Sequence, residues 1–255
     1  MSGQEVSKTR FDSEAATWDA DEKHLDGVEK AFEAIKQHVP AFSAEGGDAK
    51  DLDVLEIGCG TGLLSFKLAP HVRSLIGVDT SSGMLATFSQ KISALSTTPN
   101  LAAVNVLVQD PDDKHLQAAA ADLAARRPNG GNEISASNGK YRFDLVVSHL
   151  TLHHIPDMAA LCGVLHKALR KGGCVALTDY EDFGNEARAF HPKAKWEGVE
   201  RHGVRKDEIE MVMRAVGFED VRIETPFVMQ KKVEGEDGSE VERDFPFLLC
   251  FGRKG

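Results

Sequence analysis

The middle of the chain alternates short apolar runs with helical stretches, and this alternation constrains the fold more than any other feature. Runs of strand length lie at Leu52–Ile57, Ser74–Val78, Ala103–Val108, Phe143–Val147 and Cys174–Thr178. Between them stand Leu63–Leu68, Gly83–Leu95, His115–Arg126 and Met158–Leu169, each with helical character. Strands separated by helices pair in parallel through right-handed crossovers, so the sheet is expected to be open and covered by helices on both faces. Ahead of this region, Leu25, Val28, Phe32, Ile35 and Val39 recur at three and four, one face of a helix that Pro40 stops. Behind it, Glu208–Val216 reads as a helix closed by Gly217, and Val221–Val233 as a strand interrupted by Pro226. Asp237-Gly238 offers a hairpin turn, so Phe245–Phe251 should return antiparallel to its predecessor.

A chain of 255 residues with 42% hydrophobic side chains can bury one large α/β core, and no linker divides it into comparable halves. The net charge of −10 opposes binding to nucleic acid phosphates. No apolar run reaches bilayer length and the first ten residues are polar, so no membrane partner and a cytoplasmic location are expected. Cys59, Cys162, Cys174 and Cys250 stand far apart in apolar surroundings; they read as buried thiols, and no metal is expected. Pro128 to Lys140 is rich in Gly, Asn and Ser and reads as a flexible insertion, and the acidic run near the C-terminus as a solvated loop. Phe11, Trp18 and Asp19 could fold over a neighbouring site or pack on the core, with packing favoured.

The motif with the most chemical content is Glu56-Ile57-Gly58-Cys59-Gly60-Thr61-Gly62, set between a strand and a helix. Glycine there lets the backbone turn at positive φ and approach a ligand, and the following helix presents free amides. Asp79 ends the next strand about 20 residues on, where a ribose contact would stand. Asp79-Thr80-Ser81-Ser82 also resembles a helix cap, but the spacing favours the ribose role. Dinucleotide dehydrogenases carry Gly or Ala three positions after the second glycine, where this chain has Leu63. Glu56 suits a cationic ligand better than a pyrophosphate, which points to a sulfonium cofactor bearing an ammonium group.

From Val54 to about Asp179 the sequence resembles the class I S-adenosylmethionine-dependent methyltransferases. Phe143–Ser148 followed by Leu152-His153-His154-Ile155 is similar to the fourth-strand motif of the branch with quinone C-methyltransferases and many small-molecule enzymes. Leu169–Gly173 resembles the turn before the fifth strand. The resemblance implies a Rossmann-like, seven-stranded, mainly parallel sheet ending in an antiparallel hairpin. It implies S-adenosylmethionine as cofactor, with Glu56, Gly58, Cys59, Gly60 and Gly62 around its methionine end and Asp79 on its ribose. Met84 is implied beside the adenine and Asp110 on its amino group, with Thr80, Pro111 and Ser148 in the same binding set. The corresponding organisation is one domain over 1–255: a helical cap at 1–50, a cofactor-binding core at 51–182, an acceptor-site lid at 183–204, and a C-terminal helix and hairpin at 205–255. Asn-Pro-Pro-Tyr is absent after Val147, which sets the chain apart from amide and nucleobase amino methyltransferases.

Methyl transfer from a sulfonium requires mainly alignment and exclusion of water, with a base only for acceptors that lose a proton. His153 and His154 follow the fourth strand at the carboxyl edge of the sheet, where ligands of open α/β folds bind. His202 is a further candidate base, and His191 and Trp196 could line an acceptor pocket. The expected activity is methylation of a small molecule. A protein methyltransferase and a noncatalytic cofactor-binding protein are the alternatives.

Overall fold

A computed structural model describes residues 3–43, 48–95, 99–127, 139–235 and 239–255. Its sheet has seven strands: β1 (Asp53–Ile57), β2 (Ser74–Asp79), β3 (Leu101–Asn105), β4 (Phe143–His149), β5 (Leu169–Tyr180), β6 (Phe218–Glu234) and β7 (Glu240–Lys254). The spatial order is β3-β2-β1-β4-β5-β7-β6. The first five strands run parallel, and β7 inserts antiparallel between β5 and β6. This is the Rossmann-like, seven-stranded, mainly parallel sheet with an antiparallel terminal pair that the resemblance implied, and its parallel part is the one the alternation of strands and helices implied.

Every residue of β1 is buried, because helices cover both faces of the sheet centre. Helices α1 (Gly3–Glu14), α2 (Glu22–His38), α3 (Leu63–Leu68), α4 (Ser82–Ala94), α5 (Lys114–Ala125), α6 (Met158–Ala168) and α7 (Lys206–Ala215) account for the two layers. One core joins Leu55, Ile76 and Val146 to α5, α6 and α7; the other joins Val54, Leu75 and Leu145 to α2, α3 and α4. All four cysteines are free and buried.

Three boundaries move from the expected ones for local reasons. β3 ends at Asn105, and the chain continues through Val106–Val108 without strand pairing. Arg170–Gly173 does form the expected turn, but as a bulge inside β5: Leu169 pairs with Phe143 and Cys174 with Leu145, with Gly172 at φ +78° between them. Pro226 shifts the β6–β7 register without ending the strand, since it sits on the outer strand of the sheet. The Asp237-Gly238 turn and most of the expected insertion, residues 128–138, lie outside the described residues.

The lower edge of the sheet is fastened by charge. Asp53 is buried and accepts hydrogen bonds from Arg73 at 2.7 Å, Arg127 at 2.6 Å and Arg170 at 3.2 Å. The opposite edge, at the carboxyl ends of β1, β2 and β4, opens into a crevice.

Candidate active site

The crevice is a cavity of about 1110 Å³ with two chemically different ends. One end is formed by the turn after β1. Gly58, Gly60 and Gly62 have φ of +69°, +54° and +84°. A Cβ on Gly58 would lie 2.2 Å from Thr151 Oγ1, so the turn closes on the end of β4 only because that residue is glycine. A Cβ on Gly60 would meet nothing within 4 Å, so the backbone there faces open cavity.

Two carboxylates flank this turn. Asp79 accepts the Gly60 N–H at 2.9 Å and the Ser81 N–H at 2.8 Å. Burial raises its pKa, and the N–H bonds of Ser81 and Gly60 oppose that rise. The capping role belongs to Ser81, whose hydroxyl accepts the Met84 N–H at 3.1 Å. Glu56 is 2% exposed and accepts a hydrogen bond from Ser65. Burial lifts its carboxyl to about 8, partly offset by Ser65, so it holds a proton at neutral pH when no cation faces it.

The other end is lined by histidines. His153 is 1% exposed, and its Nδ1 lies 2.8 Å from Oδ1 of the fully buried Asp179. Oδ2 of Asp179 accepts the His153 backbone N–H at 3.1 Å, while the His153 Nε2 is buried without a hydrogen-bond partner. His154 donates from Nδ1 to the Gly198 carbonyl at 2.9 Å, which leaves the lone pair on Nε2. Burial lowers its pKa to about 2, with a smaller push from His153. His191 Nδ1 lies 3.3 Å from the Tyr180 hydroxyl, and burial lowers its pKa as well. His153 and His154 stand in the 3-10 turn Leu152–His154 after β4, Asp179 and Tyr180 end β5, and His191 and Gly198 come from the stretch that holds the 3-10 turns Asn185–Phe190 and Lys193–Gly198.

The N-terminal segment roofs the cavity. Phe11 and Trp18 are in its wall, with Phe11 edge-on to His154 at 5.3 Å, so they fold over the site instead of joining the core. Asp12 at the end of α1 accepts the Ser81 hydroxyl at 2.7 Å and the Gly83 N–H at 2.8 Å, tying the roof to α4. Asp19 accepts from Thr61 and from Lys91 at 2.7 Å, tying it to the glycine turn. Ser7 donates to Gly198, tying it to the segment that carries His191.

Glu56, Gly58, Cys59, Gly60, Asp79, Thr80, Met84, His153 and His154 all line the cavity, as the sequence led us to expect. Five expected residues stand off its wall. Gly62 packs beneath the turn, where a Cβ would lie 2.3 Å from the Phe88 ring. Asp110 is exposed and turns its carboxylate onto the Asp112 N–H at 2.9 Å; Pro111 follows it into the approach to α5. Val106, Leu107 and Val108 take the wall position instead, because β3 ends earlier than its apolar run suggests. Ser148 is buried within β4 between Ile57 and Leu177, and its neighbour His149 reaches the cavity in its place. His202 packs its ring edge-on to Trp196 at 5.3 Å, one layer behind the wall. The sequence reading missed Asp179, whose signal was a carboxylate at the end of an otherwise apolar strand.

A family model described as a methyltransferase domain matches residues 28–223. The chain belongs to this methyltransferase family. An uncharacterized methyltransferase of Schizosaccharomyces pombe is 28% identical over 155 residues, covering 60% of this chain and 48% of that protein. A ubiquinone biosynthesis O-methyltransferase of Colwellia psychrerythraea is 25% identical, covering 55% and 48%. The chain thus spans about half the length of the curated relatives it matches. Among solved structures, an S-adenosylmethionine-dependent methyltransferase of Thermotoga maritima, titled a possible histamine N-methyltransferase, superposes with TM-score 0.59 at 18% identity, covering 98% of this chain and 99% of that one. The N-methyltransferase NodS of Bradyrhizobium japonicum, solved with S-adenosylhomocysteine, gives 0.53 at 16% identity, covering 97% and 98%. These likenesses agree on the class I S-adenosylmethionine-dependent methyltransferase fold. Among the described residues, no helix of the methyltransferase is long and apolar enough to cross a membrane.

Proposed function

We propose that this chain transfers a methyl group from S-adenosylmethionine to a small molecule bound at the histidine end of the cavity. The observation that carries this reading is the continuity of one cavity from the glycine turn to His153 and His154. Its volume exceeds what a single cofactor needs, since sites for one small ligand run from roughly 300 to 1,000 Å³. S-adenosylmethionine supplies an activated methyl on a sulfonium.

The residues at the glycine end fit that group. Gly60 leaves open space beside the backbone, Glu56 offers a carboxylate to an ammonium, and Asp79 keeps lone pairs for ribose hydroxyls beyond its two N–H bonds. Thr80, Met84 and the Val106–Val108 stretch supply the wall for the base. Asp110 and Pro111 stand off this wall.

At the other end, Phe11, Trp18 and Trp196 exclude water and the histidines face the acceptor. His153 is the group placed to take an acceptor proton, because Asp179 holds its Nδ1 and its buried Nε2 has no protein partner, whereas burial makes His154 a weak base. The roof of α1 and the 3-10 turns, tied down at Ser81, Lys91 and Gly198, covers this end of the cavity and favours a small acceptor over a polypeptide. The names of the curated relatives, which include a malonyl-[acyl-carrier protein] O-methyltransferase of Ilyobacter polytropus, lean toward metabolite chemistry.

The test is to incubate the protein with methyl-labelled S-adenosylmethionine and a cell extract separated into metabolite and protein fractions. Label in a small molecule supports the proposal. Label confined to protein, or none despite bound cofactor, would replace it with one of the two alternatives.

A further inference from the structure

We infer that His153, His154 and His191 form a binding site for one divalent transition-metal ion of the zinc type at the acceptor end of the cavity. Among the described residues, these three bring ligand atoms within 4.8 Å of one another. The ring centroids of His153 lie 4.0 Å from His154 and 5.0 Å from His191.

The hydrogen bonds prepare two of the rings for coordination. Asp179 faces Nδ1 of His153 at 2.8 Å, so the proton sits on Nδ1 and the Nε2 lone pair is free. That Nε2 is buried and has no partner, an unfavourable state for a polar atom unless something occupies the space before it. The Gly198 carbonyl sets His154 in the same way, with its lone pair on Nε2. A carboxylate or carbonyl on the far nitrogen of a coordinating imidazole is the usual support for a metal ligand. His191 is the least constrained of the three, held through Nδ1 only by the Tyr180 hydroxyl at 3.3 Å.

Charge and ligand type point to the same class of ion. The Nδ1 contacts of His153 and His154 leave their Nε2 lone pairs for a metal, and Asp179 places one carboxylate behind the cluster. Two cations face it, and both are tied back to backbone: Arg10 donates to the Lys195 carbonyl at 3.2 Å and Lys231 to the Phe190 carbonyl at 2.7 Å. Three imidazoles suit zinc and its neighbours over magnesium or calcium, which take oxygen. Tetrahedral zinc holds its nitrogens roughly 3.3 Å apart, so ligand atoms that now lie within 4.8 Å of one another would draw in on binding. Three protein ligands leave a fourth position, open here to the cavity.

Where methyl transfer is the activity, an ion held there would take up the imidazole lone pairs and replace the histidine base: an acceptor hydroxyl or thiol at the fourth position would lose its proton to water and present an anion to the methyl donor. This role rests on the proposed function; the binding of the ion does not.

The test uses the full-length protein without an affinity tag, stripped with chelator and titrated with Co²⁺ and Zn²⁺ in the absence of cofactor. We expect one ion per chain, with the intense visible absorption of four- or five-coordinate Co²⁺. His191→Phe keeps the aromatic packing and removes the ligand, and should weaken binding at least about 100-fold; Asp179→Asn should weaken it about 10- to 100-fold. Thermal melting confirms that each variant is folded, and His154→Phe replaces His191→Phe should that variant fail to fold. No binding by the parent, or parent-like binding by a folded ligand variant, would overturn the inference. S-adenosylhomocysteine affinity measured on the same samples keeps this failure distinct from failure of the methyl-transfer reading.

Discussion

The two ends of the cavity are built on opposite principles. The glycine end is made largely of backbone contributed by one stretch of chain: three left-handed glycines, the amide of Gly60 and the tips of β1 and β2. The histidine end is made of side chains gathered from β4, β5, α1 and the 3-10 turns, with contacts such as Ser7 to Gly198 spanning 191 residues of sequence. A backbone cradle can hold the same cofactor in many proteins, whereas an assembly of side chains can be replaced piece by piece as the acceptor changes. On the proposed function, the cofactor belongs to the first end and the acceptor to the second.

That division implies that substitutions at the two ends should fail in different ways. The largest effect is expected at the histidine end. His153→Gln should lower turnover by roughly 100- to 10,000-fold once an acceptor is known, with S-adenosylhomocysteine affinity nearly unchanged. Calorimetry beside steady-state assays would show this, and equal losses in both would erase the distinction between the ends.

Asp79→Ala should do the reverse. Removing a carboxylate that fixes the Gly60 amide and faces the cavity should weaken cofactor binding by about 1.5–3 kcal/mol, the range for a charge-assisted hydrogen bond. Because Ser81 is the cap of α4, the variant should remain folded. A folded Asp79→Ala protein with parent affinity would remove Asp79 from the cofactor site.

Smaller, but more specific, is the pH dependence at Glu56. Free protein carries this carboxyl protonated below about 8, whereas a bound ammonium would favour the carboxylate and lower its pKa. Binding at pH 7 should therefore release a proton, and affinity should rise by up to about tenfold per pH unit toward pH 8, then level. Titrations in buffers of different ionisation enthalpy would detect the proton, and Glu56→Gln should abolish it. Buffer-independent heats in the parent would show that Glu56 does not meet the cation.

The contrast between the ends also explains what the sequence made legible. The sheet and the glycine turn were readable because each depends on residues close in sequence: apolar runs of strand length, glycines where φ must be positive, and a carboxylate one strand away. The position of Asp110 off the wall was not legible, because an Asp-Pro step after a strand looks alike whether it lines a cavity or, as here, makes an Asx turn with Asp112. Asp179 gave no local sign of its partner, since His153 lies 26 residues away and meets it only through β4–β5 pairing. His202 and His191 stand in the same polar stretch, and only the packing of Trp196 between the 3-10 turns decides which of them reaches the cavity.

The most direct measurement is a calorimetric titration of the parent protein with S-adenosylhomocysteine, S-adenosylmethionine, NAD and NADP. The glycine end as described should bind each adenosyl ligand at one per chain and neither dinucleotide, because Glu56 offers a partner to an ammonium that a dinucleotide lacks and Leu63 stands where a dinucleotide loop needs a small residue. Dinucleotide binding without a response to either adenosyl ligand would contradict the account.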